Sequence, residues 1–343
     1  MKERARLLFC TPMDSADFPK LWNRDAEAAA ERLGFQLDLL RTAPAGAGGW
    51  NRLLRGYDGA VTSWGAPQFN AELLEGNTRL RIVGHAAGSV ADLVSDELFA
   101  RGIKVVSAND TMAGSVAEWC LAASILGFGR ALEFLRFGGG EPLRWENRGR
   151  VRSLRDAAIG IWGFGAIARS YLELLKPFTP ARILVHSDFA SDAALAEWGA
   201  EPASLERVFA EADVVVLLAG LNNRNIERVD GGLLRSLRDG ATLINYGRAR
   251  LIREEDLMVE LERRRFSAFF DVFYREPLPV DSPLYRLPNV VLTPHVAGLG
   301  GIRRFIPDVL ENFGHFFRGE PLRGEITHER AAAMTSHKKA LTV

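Results

Sequence analysis

Apolar and polar positions along this chain follow two periods that take turns nearly throughout: short continuous runs of Val, Ile and Leu, and longer stretches with helical spacing. Residues 6–10, 59–62, 80–84 and 103–107 read as strands, with helical patterns such as 25–33 and 71–74 between them. Residues 115–134 read as one long, largely buried helix, followed by a Gly-rich, Trp-containing loop around 137–145. A second alternating series places strands at 158–162, 182–186, 214–218, 242–246, 267–272 and 290–293, and a last helix at 301–317. Strands of unbroken aliphatic residues must bury both faces. With helices between them, they predict parallel sheets covered on both sides, hence two doubly wound α/β domains.

Composition changes this picture little. A chain of 343 residues suits two domains, and 47% hydrophobic with 25% charged residues is ordinary for a globular protein. Lys plus Arg and Asp plus Glu are both 43, which argues against a nucleic-acid or membrane-binding surface. Cys10 and Cys120 lie far apart in apolar runs, with neither disulfide nor metal spacing, so no metal is expected. The N-terminus lacks the apolar core of a signal peptide, and Gly and charge break the apolar stretches before they could span a bilayer. A cytoplasmic protein is expected. From Gly324 onward the sequence is polar and aperiodic, and is expected to be loosely held.

The candidate chemistry begins at GIWGFGAIA. Gly163 and Gly165, with Ala168 in the third position, follow a strand and open a helix, the context a dinucleotide fingerprint requires. Gly163, Phe164, Gly165, Ala166 and Ile167 would bring backbone amides and the helix dipole to a diphosphate. At the end of the next strand, ILVHSDF, the acidic residue for the adenosine ribose would fall at Ser187 or Asp188; Asp188 is taken. No Arg or Lys follows within that loop, so NAD is favoured over NADP. Arg248, directly after a buried strand in LINYGRARL, can fork two hydrogen bonds onto a carboxylate; Arg250 is the alternative. His295 in TPHVAG is a candidate acid/base, and a buried Glu276 nineteen residues earlier could fix its tautomer and stabilise the imidazolium. Asp271 ends a strand at the edge where ligands bind, with a strand-end cap as its plainer role.

GFGAIA, the Arg248 segment, DVFYREP and TPHVAG together make residues 55 to 320 resemble the NAD-dependent D-isomer-specific 2-hydroxyacid dehydrogenase family. The resemblance implies a Rossmann-type NAD domain (113–296) inserted into a flavodoxin-like substrate domain (1–112, completed by 297–325), with a polar tail at 326–343. It implies Arg248, Glu276 and His295 as the catalytic set and Asp271 at the nicotinamide end, with Tyr246 and Gly247 also on the cofactor. Backbone amides of Ala87, Gly88 and Ser89 would join Arg248 and His295 in holding a small 2-keto or 2-hydroxy acid. It further implies a homodimer built on residues 115–134 and the loop after them. The sequence departs from the family at Ala249 and Arg253, at Leu218, Gly220 and 221–225, and in the 84–94 loop. Two rivals remain: an NAD-binding regulatory or scaffold protein, and a formate- or phosphite-type dehydrogenase.

Overall fold

A computed structural model describes residues 4–134, 150–332 and 334–335. The expected loop around 137–145 lies outside them. The chain divides into two compact units, one made of residues 1–112 and 299–343, the other of 113–298.

The first unit holds a five-stranded parallel sheet of β1 (Arg6–Phe9), β2 (Gln36–Leu39), β3 (Gly59–Thr62), β4 (Ile82–His85) and β5 (Lys104–Ser107), in the order β2-β1-β3-β4-β5. That is the flavodoxin-like order, with the reversal of direction between β1 and β3. One face is covered by helices Arg24–Leu33 and Ile302–Arg318, whose Phe305, Ile306, Val309, Leu310 and Phe313 join Leu7, Phe9, Val61 and Ile82 in a core. The helix lies so close that a Cβ at Gly84 would sit 2.2 Å from Val309 Cγ1, so only glycine lets the two surfaces meet. The other face buries Leu8, Val83, Val105, Leu93 and Phe69.

The expectation of a loose C-terminal segment is corrected here. Ile326 is 1% exposed and Ala331, in the short helix His328–Ala332, is equally enclosed by that second core. The Ser89 hydroxyl donates to the Thr335 carbonyl at 2.7 Å. Two apolar residues five positions apart suffice to anchor the segment, too few to register as a period in the sequence.

The second unit holds a seven-stranded parallel sheet in the order β12-β11-β10-β9-β6-β7-β8. Its strands are β6 (Ala158–Trp162), β7 (Arg182–His186), β8 (Glu201–Pro202), β9 (Val214–Leu217), β10 (Thr242–Asn245), β11 (Ser267–Phe270) and β12 (Val290–Leu292). Strand order reverses between β6 and β9, which makes the carboxyl ends of those strands the expected ligand edge. Strands β9 and β10 are buried along their whole length, as continuous aliphatic runs demand.

The long apolar helix runs over Asn109–Phe128, six residues earlier at both ends than its periodicity suggests. It gives way to a 3₁₀ turn, Ala131–Glu133, after Arg130 adopts a left-handed conformation. Contrary to the expectation that Gly and charge would interrupt it, the helix is long and apolar enough to cross a membrane by length and composition; half of it is buried inside the fold. It is tied into the second unit by Ser115 Oγ donating to the Ala297 carbonyl at 2.6 Å and by a 2.7 Å hydrogen bond between Ser124 Oγ and Tyr171 Oη.

Candidate active site and cofactor site

Gly163 follows β6 directly and has a φ of +103°. A Cβ there would lie 2.6 Å from the Ala219 amide nitrogen, so both the left-handed backbone and the close approach of the next loop require glycine. Gly165 caps the helix Ala166–Leu175 without any side-chain cap, and nothing lies within 4 Å of where its Cβ would be. The first amides of that helix, those of Ala166 and Ile167 among them, lack intrahelical acceptors and lie at the positive end of the helix dipole. Ala168 is fully buried against the sheet. Phe164 stands edge-on to Trp198. This backbone turn fits a dinucleotide diphosphate, with the open side at Gly165, where a Cβ would meet nothing within 4 Å among the described residues.

The end of β7 departs from expectation in its charge. Ser187 is occupied locally, its Oγ accepting from the amides of Phe189 and Ala190, which leaves Asp188 as the available acid. Asp188 was expected to lack a cation, yet the Arg228 guanidinium stands 4.0 Å from its Oδ1 and 5.9 Å over the Trp162 ring. Arg228 arrives from the connection after β9, forty positions along the chain, where no local pattern could link it to Asp188. The departures in that connection form a self-braced loop: Asn225 donates to the Gly220 carbonyl at 2.5 Å and accepts from the Asn222 amide at 2.7 Å.

The turn after β10 is built by Asn245. Its side chain donates to the Arg248 carbonyl at 3.0 Å and accepts from the Gly247 amide at 3.2 Å, which turns Arg248 out of the sheet. Tyr246, beside it, is buried, and burial raises its phenol pKa. Arg248 Nη1 donates back to the Gly247 carbonyl at 2.7 Å, but its Nε is enclosed and has no hydrogen-bond partner among the described residues. Burial lowers the pKa of this guanidinium, an effect opposed by the Glu276 carboxylate. A half-buried guanidinium with an enclosed donor can be matched by an anionic group with two oxygens. Arg250, the alternative, has its carbonyl engaged by the Glu227 amide in the turn that follows.

His295 Nδ1 lies 2.7 Å from Glu276 Oε2, and Glu276 Oε1 accepts from the Phe273 amide at 3.0 Å. The carboxylate thus bridges a backbone amide and the imidazole, leaving Nε2 as the nitrogen that can exchange a proton. Glu276 is not buried as expected: its side chain is 38% exposed and that of His295 45%. The short D-V-x-x-x-E-P connection leaves β11 for the surface, and Pro277 follows a cis peptide bond there. His295 itself has a φ of +54°, a conformation few histidines adopt.

Asp271, only 2% exposed, shows what holds that conformation. Its Oδ1 accepts from Thr293 Oγ1 at 2.6 Å and the Val296 amide at 2.8 Å, and its Oδ2 from the Ala297 amide at 2.9 Å. The carboxylate at the end of β11 is a clasp for the loop that carries His295, close to the plainer of its two expected roles.

In the first unit, Ala87 and Gly88 are buried at the carboxyl edge of β4, and Ser89 is bound through its hydroxyl to Thr335. His85 is also buried, with Nδ1 3.0 Å from Thr62 Oγ1.

The sequence profile for "D-isomer specific 2-hydroxyacid dehydrogenase, NAD binding domain" matches residues 128–297. A glyoxylate reductase of Korarchaeum cryptofilum is 28% identical over 267 residues, covering 76% of this chain and 80% of that one. An uncharacterized protein in the proB 3′ region of Corynebacterium melassecola is 30% identical over 249 residues, covering 67% and 78%. The fold matches a phosphoglycerate oxidoreductase from Rhizobium etli with a TM-score of 0.78 at 24% identity, over 95% of this chain and 99% of that one. The chain belongs to the D-isomer-specific 2-hydroxyacid dehydrogenase family and is an NAD-dependent oxidoreductase of 2-hydroxy acids.

Proposed function

We propose that this enzyme reduces a small 2-keto acid to its 2-hydroxy acid, and catalyses the reverse, with Arg248, Glu276 and His295 as its catalytic set. The observation that carries this is the 2.7 Å contact between His295 Nδ1 and Glu276 Oε2. It keeps one ring nitrogen engaged and frees Nε2 for proton transfer. Bound NADH supplies a hydride to the carbonyl carbon. His295, protonated, gives its Nε2 proton to the carbonyl oxygen as that oxygen gains charge, and Glu276 stabilises the imidazolium until the proton leaves. Arg248 holds the substrate carboxylate and draws electron density from the neighbouring carbonyl. In oxidation His295 starts neutral and takes the hydroxyl proton.

The amides of Ala87, Gly88 and Ser89 are assigned to the substrate carboxylate as well. The cradle from Gly163 to Ile167, with Tyr246, Gly247 and Asp188, is assigned to NAD; Asp271 serves the site through the His295 loop. Glyoxylate and hydroxypyruvate head the candidate substrates, because relatives over most of this chain's length bear those names, such as the glyoxylate reductase of K. cryptofilum and the glyoxylate/hydroxypyruvate reductase of Escherichia fergusonii. Neither the 84–94 loop nor residues 61–70 carries Lys or Arg, which disfavours a phosphorylated substrate.

Two buried free thiols suit a reducing cytoplasm. The exposed Trp119, Ile125 and Leu126 on the helix Asn109–Phe128 suit a homodimer. The test of function is NADH oxidation with a panel of 2-keto acids, alongside NAD reduction with formate and phosphite. Turnover of a keto acid is expected; turnover confined to formate or phosphite, or none at all, overturns the reading.

A further inference from the structure

A carboxylate, a guanidinium and an imidazole meet at the carboxyl ends of β6 and β7. Asp188 Oδ1 lies 4.0 Å from Arg228 Nη1 and 3.8 Å from His186 Nε2. His186 is held from its other side, Nδ1 lying 3.0 Å from the Ala203 carbonyl, and its Nε2 is buried without a hydrogen-bond partner among the described residues. Its carbonyl also receives the amide of Gly163, so the group is one hydrogen bond from the diphosphate cradle. Arg228 is fixed over Trp162, the last residue of β6.

An acid at the end of the second strand of a dinucleotide fold accepts from the ribose 2′-hydroxyl and repels a 2′-phosphate. That repulsion depends on the acid's charge standing alone. Here a guanidinium 4.0 Å away offsets it in part, while also acting on the Glu206 carboxylate, and one contact at that distance uses little of its fork. Both residues are partly exposed, so the effect is screened and belongs to selectivity rather than to the stability of the fold.

We infer that Arg228 is a cofactor-selectivity residue: it offsets the charge of Asp188 and faces the adenosine 2′ position, so that the enzyme prefers NADH but also binds NADPH. The inference rests on the assignment of Asp188 to the adenosine ribose. It extends that assignment to a residue outside both the dinucleotide fingerprint and the loop after β7.

The test is direct binding to the purified, cofactor-free protein, read from nucleotide fluorescence for NADH and NADPH separately. For the unsubstituted enzyme the two dissociation constants should lie within about tenfold of each other. Arg228→Ala should weaken NADPH on the order of tenfold while changing NADH less than about threefold, and Arg228→Lys should largely restore NADPH binding. Asp188→Ala should narrow the gap by tightening NADPH. Equal weakening of both nucleotides by Arg228→Ala, or no change in either, overturns the inference and leaves the cofactor site standing. An Asp188→Ala variant with an unchanged NADH-to-NADPH ratio shows that the acid lies away from the ribose and overturns both. Failure of the unsubstituted protein to bind either nucleotide does the same.

Discussion

His295 Nδ1 and Glu276 Oε2 are 2.7 Å apart, and the same carboxylate accepts from the Phe273 amide, so one side chain fixes both the ring and the backbone beneath it. Glu276→Gln keeps the shape and removes the charge that stabilises the imidazolium. Keto-acid reduction should fall roughly 10²-fold in kcat, with the NADH dissociation constant unchanged. A rate near that of the unsubstituted enzyme would show that the contact plays no part in proton transfer.

If the guanidinium holds the substrate carboxylate as proposed, Arg248→Ala should impair keto-acid binding while NADH still binds. Loss of such a charged donor costs about 2–5 kcal/mol, a drop in kcat/KM of roughly 30-fold to several thousandfold. Steady-state kinetics beside nucleotide fluorescence separates the two effects. Retained kcat/KM would move the role to Arg250.

Asp271→Ala strips three acceptor contacts from the loop 293–297. With one buried and one half-buried amide left unsatisfied, stability should fall by about 1–3 kcal/mol, and His295 should lose its left-handed geometry. Asp271→Asn, which keeps one acceptor oxygen, should show a smaller loss of stability in chemical denaturation. Equal stability of all three proteins would mean that the loop holds itself.

His85 gives the first unit a pH dependence. Burial lowers its pKa from 6.5 to about 4. Between those values the unfolded chain binds a proton that the folded chain refuses. Stability is therefore complete above about pH 6.5, declines as pH falls through the window, and levels off near pH 4 after a loss of about 3 kcal/mol. His85→Gln should flatten this part of the denaturation-versus-pH curve. An unchanged slope would assign the acid sensitivity to other groups.

The exposed Trp119, Ile125 and Leu126 yield the prediction of a homodimer at micromolar concentration by light scattering. Leu126→Asp should produce monomers with the fold intact. A monomeric mass for the unsubstituted chain would contradict the assignment.

The sequence disclosed whatever is local. Strands such as 158–162, 182–186 and 59–62 were legible because buried parallel strands are continuous apolar runs, and Gly163 because its turn leaves a fixed spacing. The pairing of Glu276 with His295 was legible in identity but not in burial, since nothing local reveals that the loop after β11 runs at the surface. Two short strands, Gln36–Leu39 and Glu201–Pro202, were not expected: the first carries exposed and half-exposed residues, and the second is too short to show a period. Arg228 beside Asp188, and Thr335 beneath Ser89, join residues forty and more than two hundred positions apart, and only the folded chain brings them together.

The split of the first unit between the two ends of the chain sets the order in which the protein can be made. Its sheet is complete once β5 has been synthesised, yet Phe305, Ile306, Val309, Leu310 and Phe313, which complete the cover of one face, are made only after the whole of the second unit. The second unit, continuous from 113 to 298, can fold during translation, while the first must wait, one apolar face covered only by the helix Arg24–Leu33, until the helix Ile302–Arg318 has followed. A nascent chain stalled before residue 302 is therefore the species that chaperones would hold, and its aggregation is the hazard built into this chain order.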